Sequence, residues 1–171
     1  MAKIDFLIKE SKAGAVLLFL LRLYLGWKWL TAGWMKLTSS QPFDSTGYLQ
    51  NAVANSKGDN PIVQYWWGRV LESSVLPNVE VFNFLVPWGE FLIGLALLFG
   101  ICTLSAALTG MFMNLCFFLS GSISIIPQML FCAFLLIYAG SNSGRIGVMY
   151  LLNRYWLKAR TKTIPPQLEQ T

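Results

Sequence analysis

Two ionisable side chains, Arg22 and Glu90, stand inside long apolar runs of the sequence. An ionisable group at membrane depth costs at least about 2.5–3.5 kcal/mol and normally faces the protein interior, so each marks a place where charge-assisted hydrogen bonding or proton transfer is expected. At about 100° per residue on a helix, Arg22, Gly26, Trp29, Gly33 and Lys36 share one narrow stripe. Its two glycines let a neighbouring helix approach closely, which makes the stripe an interface rather than a lipid-facing side. Glu90 shares a face with Gly94, and Pro87 removes the backbone bond to the Asn83 carbonyl, so a kink is expected beside a buried acid. A third stripe carries Gly110, Asn114, Phe117 and Gly121, and a fourth carries Gln128 and Cys132. Counting inward at about 1.5 Å per residue puts Glu90 about 12 Å and Arg22 about 18 Å below the outer boundary. A long arginine spans that difference, so an Arg22–Glu90 pair is expected inside a polar bundle interior. That interior would also hold Asn114 and Gln128 and would open to an outer vestibule rimmed by Lys36. Plain packing and a structural ion pair are the bland alternatives.

The elements that must position these residues follow from composition. The chain has 171 residues, of which 55% are hydrophobic and 12% charged, about half the charge of a soluble domain. An all-α integral membrane protein is expected: one domain over 1–171, a four-transmembrane-helix bundle with an extracytoplasmic loop containing short interfacial helices. The spans fall at about 13–35, 81–101, 104–122 and 125–141, with an outer loop over 36–80 and a tail over 142–171. The first is too long for the apolar core of a cleavable signal peptide. Lys3, Lys9 and Lys12 at one end, and Arg154, Lys158, Arg160 and Lys162 at the other, place both termini in the cytoplasm. The formal charge of +5 therefore reports topology, not a nucleic-acid patch.

In the outer loop, Ser45 is expected to cap a short helix through Ala52. Asn60-Pro61 reads as the start of another, carrying Ile62, Tyr65, Trp66 and Val70 along the interface. Trp34, Trp66, Trp67 and Trp88 fall near the outer boundary as an aromatic belt. Lys28, opposite the Arg22 stripe, reads as a snorkelling side chain or a contact to another subunit, which leaves a homo-oligomer open. The tail beyond Arg160, with Pro165-Pro166, reads as disordered. The chain has no histidine, which excludes His-ligated haem or metal, a Ser-His-Asp triad and a histidine relay. Cys102, Cys116 and Cys132 lie singly in apolar runs, so no metal site or dithiol motif is expected, and no flavin motif is present.

The stretch from Arg22 to Leu37, Val75-Leu-Pro-Asn78, the stretch Trp88-Gly-Glu90 through Gly100 and Met113-Asn-Leu115 together resemble the DoxD/DoxX family, most closely its DoxD branch. That resemblance implies the membrane subunit of a thiosulfate:quinone oxidoreductase in a prokaryotic cell membrane, coupling thiosulfate oxidation to tetrathionate with reduction of a membrane quinone. It also implies a DoxA-type partner, expected as a separate subunit. On this reading Arg22 and Lys36 hold the small sulfur anions, with Asn114 and Gln128 lining the substrate site. Glu90 delivers protons to the quinone, and Trp29, Trp88 and Phe117 flank its ring. A redox thiol at Cys132 is the cysteine route for electrons. Two rival classes are a non-catalytic DoxX-type membrane anchor for a soluble redox partner and a small-anion carrier built on the Arg22–Lys36 stripe.

Overall fold

A computed structural model describes residues 2–57 and 60–150, and within them every regular element is a helix. Helix α1 (Ala2–Lys9) turns sharply into α2 (Lys12–Leu37). Ser11 caps α2 by accepting a hydrogen bond from Gly14 N at 2.9 Å. A Cβ on Gly14 would stand 2.0 Å from the Leu7 carbonyl oxygen, so the turn admits only glycine there. Helix α3 (Thr46–Ala54) crosses the outer loop, and α4 (Tyr65–Val70) follows. A π-helical turn over Leu71–Val75 and a 3-10 turn over Leu76–Asn78 join α4 to α5 (Val79–Phe99), giving one rod from Tyr65 to Phe99. Helices α6 (Thr103–Leu119) and α7 (Ile126–Tyr138) complete the bundle, and a 3-10 turn over Gly140–Gly144 ends it.

Two rods, Lys12–Leu37 and Tyr65–Phe99, are long and apolar enough to cross a bilayer. Helices α6 and α7 are equally apolar but shorter, with 17 and 13 residues. Large apolar side chains point outward around the bundle, among them Leu17, Leu20, Trp27, Leu92, Phe112, Phe131 and Phe134. An apolar exterior of this extent fits a lipid solvent.

Glycine sets the register between α2 and α5. A Cβ on Gly33 would lie 2.4 Å from Phe91 N, and one on Gly94 would lie 2.4 Å from Leu30 N, so the two backbones touch along this seam. Gly26 lies against Leu98 in the same way. The two helices run antiparallel, with Gly33 level with Glu90 and Arg22 level with Gly100. Inside the bundle Leu25, Trp29, Ile93, Leu97, Ala107, Met129, Cys132 and Leu136 form one core. A smaller core of Leu49, Ala52, Val53, Val63 and Leu71 folds the outer loop onto the α4 end of the long rod. Trp67 Nε1 donates to Ser120 Oγ at 2.9 Å, tying that unit to the end of α6.

Several expectations are corrected. Residues 60–64 are not helical: they run as successive bends that bury Val63 fully in the loop core; α4 begins at Tyr65 and is continuous with α5 rather than a free interfacial helix. Ser45 makes no capping hydrogen bond with its side chain. It donates instead to Asn83 Oδ1, and Asp44 Oδ1 accepts from Thr46 N at 2.9 Å. Helix α5 continues through Pro87. A further irregular stretch, not expected, lies earlier, where Pro77 lacks an N–H and Asn78 Nδ2 donates to Ser74 O at 2.9 Å. The cationic, Pro-containing tail over 151–171 lies outside the described residues.

Candidate functional site

Lys36 stands in the last turn of α2, about one turn outward of Glu90, and its long side chain reaches back to the carboxylate, because the Gly33 contact brings α2 and α5 together at the level of Glu90. Lys36 Nζ donates to both carboxylate oxygens of Glu90 at 2.5 Å. The Glu90 side chain is 3% exposed and that of Lys36 28%, so the acid is sunk in the bundle and its cation bridges it to the surface. Aromatic rings close around the ammonium, Phe43 at 5.3 Å and Phe117 at 6.0 Å from ring centre to Nζ. On the outer side Lys36 reaches a shallow cleft of about 420 Å³ lined by Ala32, Met35, Gln41, Pro42, Phe43 and Asp44. The cleft is open and mostly apolar, with Lys36 and Asp44 as its charged groups.

Near the pair lie two further polar groups. Asn114 and Trp29 are each 2% exposed, and neither Asn114 Nδ2 nor Trp29 Nε1 has a protein hydrogen-bond partner. Trp29 Nε1 lies 3.0 Å from where a Gly110 Cβ would stand, so the glycine makes the niche for the indole. Asn114 is one turn further out on the same face of α6, and Phe117 one turn beyond it. A buried donor left unpaired costs about 1–3 kcal/mol, so two beside an ion pair mark a polar locus.

The loop strand bearing Phe43 is held by Asp44. Asn83 Nδ2 donates to Asp44 Oδ1 at 3.1 Å, and Asn83 Oδ1 accepts from Ser45 N at 2.8 Å. Hydrogen bonds from the Thr46 hydroxyl and N–H, then from Asn83, hold the Asp44 carboxyl below the usual carboxylate range. A depressed folded value stabilises the fold above the ordinary carboxylate pKa, and that stability is lost as pH falls through the folded value. Docking of the loop, read from protease sensitivity near Phe43, should therefore weaken in acid below about pH 4. Asp44→Asn should remove that dependence.

The expected Arg22–Glu90 pair does not form. Arg22 is 1% exposed but lies at the opposite end of the bundle, where Nη1 donates to Ser143 O at 3.2 Å and Nη2 to Ile146 O. Cβ atoms on Gly100 and Gly147 would stand 2.6 and 3.1 Å from its Nη1. The depth count fails because Trp34 on α2 is level with Trp88–Gly89 on α5, not with Val81. Measured from one plane, Arg22 and Glu90 are more than about 10 Å apart along the axis. Arg22 and Lys36 likewise share no vestibule, since 14 residues of one helix, about 21 Å, separate them. Arg22 satisfies carbonyls of the 3-10 turn after α7 and of the segment that follows it. Arg22→Met should lower the thermal midpoint of the detergent-solubilised protein by several degrees through these orphaned carbonyls, with the Lys36–Glu90 pair intact.

Gln128 is exposed, contrary to expectation. The buried stripe of α7 is Met129, Cys132, Ala133 and Leu136, and Gln128 is about 100° from its centre. Cys132 sits in the apolar core. Trp88 is 41% exposed and packs edge-on against Phe91, on the outer side of α5 and not over Lys36. Lys28 lies 5.8 Å from the Tyr24 ring on its own helix. Phe43, Asp44 and Asn83 belong to the site and carry no periodic signal that would have revealed them.

A model of the DoxX family matches residues 17–122, a stretch that includes Arg22, Lys36, Glu90 and Asn114. No curated protein and no solved structure matches the chain.

Proposed function

The chain belongs to the DoxX family, a family of membrane proteins, and from that premise we propose that it is the membrane subunit of a thiosulfate:quinone oxidoreductase whose quinone-reducing site is the Lys36–Glu90 centre. The carrying observation is a buried carboxyl joined by a partly exposed lysine to an open outer cleft. Two thiosulfate ions joining as tetrathionate release two electrons, and a quinone taking those electrons needs two protons. Lys36 presents N–H donors to a quinone oxygen, and Glu90 behind it passes protons forward. Phe43 and Phe117 flank the ammonium and offer aromatic faces to the quinone ring.

The cleft is lined by one cation and one acid, Lys36 and Asp44, which does not suit two dianions. Sulfur oxidation is accordingly assigned to a DoxA-type partner subunit, with Asn114 inside this chain's site and Gln128, Trp88 and Cys132 outside it. Four crossings accompany this reading, in a prokaryotic cell membrane with both termini cytoplasmic. Helix α7 alone rises about 20 Å, and the fourth crossing rests on it together with the 3-10 turn that follows. The anion-carrier reading loses its cation stripe, because Arg22 and Lys36 are far apart and each is already engaged. A second reading keeps one observation: Ile62, Tyr65 and Trp66 are 71%, 62% and 54% exposed on the folded outer loop, as a docking tip of a non-catalytic anchor requires.

Thiosulfate-dependent reduction of a soluble quinone analogue, measured with the partner present, separates the two. Under the enzymatic reading Glu90→Gln lowers kcat by about 100-fold while Arg22→Met, at matched folded fraction, does not. An unchanged kcat in Glu90→Gln would leave the anchor reading.

A further inference from the structure

Trp29 Nε1 and Asn114 Nδ2 are buried donors without a protein acceptor; the indole lies on the inner side of the Lys36–Glu90 pair and the amide about level with Glu90. They are in line with it: Gly110 on α6 receives the Trp29 indole, Asn114 follows one turn outward, and Phe117 one turn further lies over Lys36 Nζ. On α5, Ile93 approaches Gly110 and Gly89 approaches Met113, which puts Glu90 level with Asn114. Deeper than Trp29 the lining changes character. Leu25, Leu97 and Ala107 are at most 1% exposed and lie level with one another, forming a dry layer between this polar line and Arg22.

We propose that the bundle contains a one-sided water pocket, entered past Lys36 and ending at the Leu25–Leu97–Ala107 layer. In it ordered water accepts hydrogen bonds from Asn114 Nδ2 and Trp29 Nε1 and reaches Glu90. Water is the ligand class that fits, because the free groups are an indole N–H and an amide NH2, both donors, and water accepts from each while donating onward to a carboxylate. The pocket connects Glu90 to the solvent on the Lys36 side alone. It does not depend on the electron acceptor and holds equally if the chain is an anchor.

The test is side-chain hydrogen exchange of the folded full chain in detergent, followed by indole 15N–1H signals after transfer to D2O. Trp29→Phe identifies the Trp29 signal. The expected result is loss of that signal at least about tenfold sooner than the backbone amide of Leu97 in the dry layer. Asn114→Leu, which fills the niche with an apolar side chain of similar size, should slow it to the Leu97 rate. Retention of the Trp29 signal as long as the Leu97 amide in the native chain would overturn the pocket, and this measurement stands whether or not the Asn114 variant folds. Fast exchange unaffected by Asn114→Leu in a folded variant would also overturn it, since the route would then bypass Asn114.

Discussion

Lys36→Met destabilises the folded chain by about 3 kcal/mol, whereas the double variant Lys36→Met/Glu90→Gln lies within about 1 kcal/mol of the native protein. Removing only the lysine strands a carboxylate that is 3% exposed, and the chain must either desolvate the charge unpaired or take up a proton. Removing both charges leaves an amide and a thioether of similar volume in the same space. The compensation follows from the geometry: Lys36 contacts both carboxylate oxygens at 2.5 Å, so the two side chains act as one unit and their effects are not additive. The check is the apparent thermal midpoint of the four proteins of the cycle in one detergent. Equal and additive losses would mean that the pair is solvated and that Glu90 is not the buried acid that the proposed proton transfer requires.

That pairing shows where the sequence is readable and where it stops. Helix faces were legible: the stripe Arg22, Gly26, Trp29, Gly33, Lys36 contains four buried residues and one partly exposed lysine, and Glu90 and Asn114 are buried as their spacing requires. Periodicity fixes the angle of a side chain around its own helix. It does not fix the height of one helix against another. The height here comes from backbone contact at Gly33 and Gly94, and that contact pairs Glu90 with Lys36 and sends Arg22 to the far end. Gln128 failed for a related reason. Two residues four apart share a face, but which face is buried depends on where Met129 and Ala133 pack. The outer loop was readable as short helices and not as a folded cap, because a five-residue core assembled across Leu49, Val63 and Leu71 has no local signature. Val63 at 0% exposure overrides the helix-start signal of Asn60-Pro61.

Gly94→Ala should be the most damaging single-methyl change on the α2–α5 seam, destabilising by more than about 3 kcal/mol, above the usual range for overpacking. The added Cβ would lie 2.4 Å from Leu30 N and 2.6 Å from Leu30 Cα. Both are backbone atoms of a helix, so no rotamer change relieves the contact and α2 must move away from α5. Moving it apart also lengthens the Lys36–Glu90 hydrogen bonds, so stability and the proposed quinone reduction should fall together. Gly33→Ala, facing Phe91 N at 2.4 Å and Pro87 O at 2.8 Å, should behave alike. Gly89→Ala supplies the contrast on the same helix: its Cβ meets only Met113 Sδ at 3.4 Å and Cε at 3.5 Å, an ordinary contact, and replacing a mid-helix glycine should stabilise by up to about 1 kcal/mol. Folded yield and thermal midpoint of the three variants, side by side, give the answer. If Gly94→Ala and Gly89→Ala match, the helices are not in backbone contact, and the register that brings Lys36 to Glu90 is wrong.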